Sequence, residues 1–135
     1  MSAAQPHMRK KLLVVDDAPD LLATMARRLR HAGYQVYTAS SGADGLRRAQ
    51  RLAPDLIILD VMLPDINGYS VCEELRRRTV TAAIPVLMLT GLVGELPRYA
   101  GIEAGAVEVL RKPIAWPELL ERARLALSAA GRGET

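Results

Sequence analysis

The chain holds a single cysteine, Cys72, in 135 residues, and its two histidines, His7 and His31, stand far apart. Internal disulfides and Cys/His zinc clusters are thereby excluded. Aromatic residues make up only 4% and phenylalanine is absent, so a stacking platform for single-stranded nucleic acid has little to be built from. Long apolar runs are also missing. The stretches 56–59 and 84–89 fall far short of the roughly 20 residues a membrane span needs, and no signal peptide with a cleavage site opens the chain. A soluble, cytoplasmic protein with no membrane partner is expected.

Half of the residues are hydrophobic and 24% are charged, an ordinary globular balance at the size of one domain. The formal charge of +3 could suit a polyanion. The basic residues that produce it, among them Arg27, Arg28, Arg30, Arg47, Arg48, Arg51 and Arg76, fall on predicted helices and read as solvated faces. Direct binding of nucleic acid by this domain is not expected.

From Lys11 onward, short β-rich runs alternate with helical patterns. Strands are expected at 12–15, 35–39, 56–60, 85–90 and 107–111, and helices at 21–30, 43–51, 69–77, 98–104 and 117–129. The first, third and fourth strands are continuous apolar runs, the signature of strands covered on both faces by crossover helices. Leu21, Leu22, Met25 and Leu29 repeat at helical spacing, as do Leu119, Leu120, Ala123 and Leu127. The expected fold is α/β, a doubly wound five-stranded parallel sheet with five helices. Gly33 fits the left-handed position after the first helix, and Pro117 the first turn of the last. Residues 1–9 lack periodicity and read as a flexible arm, 10–129 as the domain, and 130–135 as a polar tail.

In a doubly wound sheet, chemistry sits beyond the carboxyl ends of the strands. The first strand ends in Asp16 and Asp17, the third in Asp60, the fourth in Thr90, and the fifth runs into Lys112 and Pro113. Carboxylates this close raise one another's pKa and call for a cation. An all-oxygen set suits a hard ion, and few protein ligands with open coordination suit Mg²⁺ better than Ca²⁺. A carboxylate nucleophile can form an aspartyl phosphate, and metal, lysine and hydroxyl can neutralise the oxygens of a loose phosphoryl transition state. Taken singly, Asp16 could cap the first helix and Lys112 could be a solvated strand end.

The runs Val14, Val15, Asp16, Asp17; then Asp60, Met62, Pro64, Asn67, Gly68; then Leu89, Thr90, Gly101, Gly105, Ala106; and Lys112, Pro113 resemble, in order and spacing, the receiver domain of bacterial two-component response regulators. The resemblance covers residues 10 to 129. It implies a flavodoxin-like strand order 2-1-3-4-5, as in chemotaxis receivers. It implies Asp60 as phosphoacceptor, taking a phosphoryl group from a histidine kinase or a histidine phosphotransfer protein. It further implies Mg²⁺, or Mn²⁺ in its place, held by Asp17, Asp60 and the backbone carbonyl of Met62, with Asp16 acting largely through water. Lys112 would pair with the phosphoryl oxygens and Thr90 would hydrogen-bond to one and move with it. The implied output is a downstream protein bound through the fourth helix, fifth strand and fifth helix, by a monomer or a dimer formed on phosphorylation. At most, self-phosphorylation from small donors and autodephosphorylation would count as enzymatic activity.

One departure stands out. Receivers usually carry a tyrosine or phenylalanine three residues before the lysine, whereas this chain has Val109. A β-branched side chain has no ring to swing, so read-out is expected through the loop from Thr90 to Pro97 and the adjoining face, to which Tyr99 and Trp116 could contribute. Pro64 and Gly68 shape a turn, and Cys72 is expected to be buried packing. The short tail favours a stand-alone receiver over one excised from a regulator with a DNA-binding or enzymatic output. A haloacid dehalogenase-type phosphohydrolase would need an acid two residues after the nucleophile, where Met62 stands. Flavodoxin-like cofactor binding is opposed by the acidic first loop, and a dinucleotide site by the absence of G-x-G-x-x-G. The complete acid set with Thr90 and Lys112 argues against a receiver that no longer takes phosphate.

Overall fold

In the computed structural model, residues 9–133 are described, with side chains through residue 130. Five strands, β1 (Lys11–Val15), β2 (Gln35–Ala39), β3 (Leu56–Asp60), β4 (Val86–Thr90) and β5 (Glu108–Arg111), alternate with five helices. The helices are α1 (Pro19–His31), α2 (Gly42–Leu52), α3 (Gly68–Arg77), α4 (Glu95–Ala104) and α5 (Trp116–Gly133). All strand pairs are parallel, in the order β2-β1-β3-β4-β5. The doubly wound sheet read from the apolar runs is therefore present, with the order that the resemblance implied.

The two-residue period of a strand sends alternate side chains to opposite faces. Leu13, Val15, Ile57, Leu59, Val86 and Met88 join a core with residues of α2, α3 and α4 such as Leu46, Ala49, Val71, Leu75 and Ala104. Leu12, Val14, Leu56, Ile58, Leu87 and Leu89 join a second core with Met25, Leu29, Leu119 and Ala123 of α1 and α5. Burial on both faces explains why β1, β3 and β4 are apolar without alternation. With no phenylalanine available, both cores are almost wholly aliphatic. Each fully buried Leu or Ile contributes roughly 1.5–3 kcal/mol relative to its exposed state. Cys72 is buried in the first core, as expected.

Gly33 takes φ +107° one residue past the Ala32 C-cap of α1, and Pro117 lies in the first turn of α5. Several bounds differ from the sequence reading by one or two residues, and two differ by more. α4 starts at Glu95, three residues early, with Pro97 inside its first turn. Amides there have no intrahelical acceptor, so a proline costs nothing and does not mark the boundary. α5 continues through Gly133 where a tail from residue 130 was expected. Ala129 and Ala130 are strong helix formers, and extending an existing helix fixes one residue per added bond. Of the arm expected at residues 1–9, all but Arg9 lies outside the described residues, as do residues 134 and 135. No helix among the described residues is long and apolar enough to cross a membrane.

Candidate acidic site at the carboxyl edge of the sheet

Parallel strands in register bring their carboxyl ends to one edge, and the five residues singled out from the sequence converge there. Asp16 follows β1; its backbone N–H donates to the Ala39 carbonyl at 3.1 Å, and its Oδ1 accepts from the Ala18 amide at 2.9 Å. The carboxylate thus closes the β1–α1 turn rather than capping α1, whose N-cap, Ala18, has no side-chain cap and is followed by Pro19. Asp17 is exposed beside it. Asp60 is the last residue of β3, opposite Leu89, and is 3% exposed. Thr90 ends β4, also buried, and its carbonyl accepts from the Lys112 amide at 2.7 Å.

Lys112 is not a solvated strand end. Its Nζ lies 3.3 Å from Asp16 Oδ2 and 3.1 Å from Asp60 Oδ1. The second contact is an ion pair off the hydrogen-bond direction, so Asp60 Oδ1 remains buried without a hydrogen bond. Burial pushes the Asp60 carboxyl above the ordinary aspartate range; Lys112 opposes this and the Asp16 charge reinforces it. Partial burial works against the Lys112 ammonium, but Asp60 and Asp16 outweigh it and raise its pKa. The peptide between Lys112 and Pro113 is cis.

Asp16, Asp17 and Asp60 each offer a carboxylate oxygen, all within 4.8 Å of one another. Three acids against one ammonium leave the pocket negative, and one buried oxygen has no donor. That donor set fits a hard divalent cation and offers nothing to a soft one.

A family model for the response regulator receiver domain matches residues 12–124. The chain belongs to this family. It is a receiver domain of the two-component response regulators, a signalling domain. Among curated relatives, it is 40% identical over 120 residues to the alkaline phosphatase synthesis transcriptional regulatory protein PhoP of Bacillus subtilis, covering 89% of this chain and 49% of that protein. It is 42% identical over 122 residues to the DNA-binding dual master transcriptional regulator RpaA of Synechocystis, covering 90% and 51%. The receiver thus spans about half the length of these relatives. Among solved structures, a CheY-like receiver domain protein from Methanospirillum hungatei superposes with a TM-score of 0.87 at 26% identity, covering 93% of this chain and 98% of that one. Chemotaxis protein CheY4 of Vibrio cholerae gives 0.83 at 31%, covering 87% and 98%.

Other residues of the receiver's site region are placed less simply. The Met62 side chain is 60% exposed at the mouth. Val109 is half-buried against α4: a Cβ built on Gly101 would fall 2.4 Å from Val109 Cγ2. α4 therefore lies directly on β5 at the position where a ring was missing from the sequence. Tyr99 is exposed, whereas Trp116 packs on the second core with the Arg28 guanidinium 5.5 Å from its ring centroid. Asp65, in the turn after Asp60, accepts from the Gly42 and Ala43 amides and so ties that loop to the start of α2. Its partners lie more than 20 residues away, and no local pattern marks them.

Proposed function

We propose that this receiver accepts a phosphoryl group on Asp60 from a phosphohistidine of a histidine kinase or phosphotransfer protein. The observation that carries the reading is the buried Asp60 carboxylate at the end of β3, with one oxygen lacking a hydrogen bond, facing Lys112 and two further acids. An Asp60 oxygen forms the O–P bond as the donor's N–P bond breaks, and the bonding pair stays on the imidazole nitrogen. Lys112, now shared between Asp16 and Asp60, turns toward the phosphoryl oxygens. Asp17, Asp60 and the Met62 carbonyl would hold Mg²⁺, or Mn²⁺, with Asp16 acting largely through water, and the ion would neutralise the charge on the phosphoryl oxygens. Met62 offers no proton to a leaving group, so turnover on phosphate esters is not part of this reading.

Thr90 Oγ1 accepts from the Leu92 amide at 3.0 Å. Moving the Thr90 oxygen toward the phosphoryl group, where its hydroxyl donates, draws it away from the Leu92 amide and frees the loop that leads to α4. Leu92, Val93, Leu96, Tyr99 and Ile102 are exposed there and would change register for a downstream partner. Incubation with acetyl phosphate and Mg²⁺, followed by intact mass, tests the reading. One phosphoryl adduct is expected, abolished by chelation and by Asp60→Asn; no adduct, together with no beryllofluoride binding by the folded protein, overturns it. A second reading concerns the output. The relatives PhoP and RpaA are named as transcriptional regulators and are about twice as long, which favours a DNA-binding output on the same polypeptide. The coding sequence beyond residue 135 tests it.

A further inference from the structure

Two glycines and one tyrosine give α4 an asymmetric attachment. Its C-terminal half is pinned: Gly101 lies against Val109 and Met88, and the Gly105 carbonyl accepts from Arg76 Nε at 3.2 Å. Its N-terminal half is exposed at Leu96 and Tyr99, and its N-cap, Gly94, has φ +103° and supplies no side-chain cap. Tyr69 reaches this half from α3. Its hydroxyl donates to the Pro97 carbonyl, in the first turn of α4, at 3.3 Å.

Tyr69 is itself fixed to the acidic site. Gly68, the preceding residue, donates its amide to the Val61 carbonyl at 2.8 Å. A Cβ at residue 68 would lie 2.5 Å from the Asp60 carbonyl oxygen and 2.8 Å from Val61 Cα, so the first turn of α3 rests on the backbone that carries Asp60. The Tyr69 ring packs half-buried on the first core, and burial raises its phenol pKa, keeping the donor protonated at neutral pH. The loop 91–94 is therefore strung between two anchors. One is the Thr90 hydroxyl, and the other is the turn of α4 that Tyr69 holds.

We propose that Tyr69 is the positioning residue that couples the Asp60 site to α4, its hydroxyl holding the first turn of α4 while the Thr90 anchor is made and letting it go when that anchor breaks. This rests on the reading of Asp60 as acceptor and Thr90 as its responding hydroxyl. The two anchors act on one short segment whose ends they bias together, which is the physical requirement for coupling.

The test is amide hydrogen exchange on the whole chain and on Tyr69→Phe, each free and with beryllofluoride and Mg²⁺. Phenylalanine keeps the packed ring and removes only the donor. In the free variant, exchange at the amides of residues 98–101, which donate to the carbonyls of the first turn, is expected to rise roughly three- to tenfold, the worth of one neutral hydrogen bond. In the wild type, beryllofluoride should alter exchange at 91–93 and at 98–101; in the variant the response should persist at 91–93 and vanish at 98–101. A merely structural tyrosine would raise exchange equally in both states and leave the response at 98–101 intact, which overturns the proposal. Unchanged exchange in the free variant also overturns it. No beryllofluoride response at 91–93 in the wild type overturns the acceptor reading and, with it, the coupling; the free-state comparison still reports the tether by itself.

Discussion

Replacing Asp60 by asparagine should stabilise the metal-free protein, although it removes the proposed nucleophile. The ion pair with Lys112 at 3.1 Å is worth about 5 kcal/mol of attraction at an effective dielectric constant near 20. Against it stands Asp16, whose carboxylate lies within 4.8 Å and costs about 3 kcal/mol or more on the same scale. Asp17 adds a smaller, solvent-screened repulsion. These Coulomb contributions leave at most about 2 kcal/mol of net attraction, and the desolvation of a charge that is 3% exposed, several kcal/mol per ion in real proteins, outweighs it. Asparagine keeps the shape and drops the charge, so a gain of about 2 kcal/mol is expected, or roughly 6–10 °C in Tm. Urea unfolding in chelator measures it.

The same experiment has a pH arm. Burial holds the folded-state pKa of Asp60 above its unfolded value, so the folded state binds this proton more tightly. The wild type must then lose stability as pH rises from the ordinary aspartate range through the folded-state value, and level off above it. The Asn variant lacks that part of the slope. Saturating Mg²⁺ should reverse the order of the two proteins, because a ligand at 100 times its Kd adds about 2.7 kcal/mol to the form that binds it. A variant equal to or less stable than the wild type in chelator would refute the claim that Asp60 is held at a cost.

Gly68→Ala should destabilise the fold by about 1–3 kcal/mol, because the new Cβ meets the backbone of Asp60 and Val61, which cannot step aside; urea midpoints at constant m check it. Gly101→Ala should cost about 1–3 kcal/mol against Val109, and adding Val109→Ala should recover part of that loss in a double-mutant cycle. Asp65→Ala should loosen the start of α2, seen as faster amide exchange at residues 42 and 43 with little change in α5.

The sheet was legible because its physics is local. Runs such as 56–59, too short for a helix and β-rich, read as strands covered on both faces, and parallel pairing then carries Asp16, Asp60, Thr90 and Lys112 to one edge whatever the helices do in detail. The grouping of these residues was therefore readable, and the structure adds the distances that make Lys112 a partner of two acids at once. Less was readable where an outcome depends on contacts distant in sequence. Pro97 suggested a helix start at residue 98, but a proline is equally at home one turn inside. Tyr69 meets Pro97 across 28 positions, and Gly101 meets Val109 through the packing of α4 on β5; neither partner is marked by a spacing rule. The helical continuation to Gly133 was missed because a polar, glycine-containing end has no apolar period to follow.

The most direct test of the account is to locate the phosphoryl group itself. The protein is phosphorylated with acetyl phosphate and Mg²⁺, reduced with borohydride to convert an acyl phosphate into a homoserine residue, and its peptides are sequenced by mass spectrometry. The account requires homoserine at residue 60 and at no other acidic position. Homoserine at Asp16 or Asp17, or an unreduced phosphate on a hydroxyl such as that of Thr90, would contradict it.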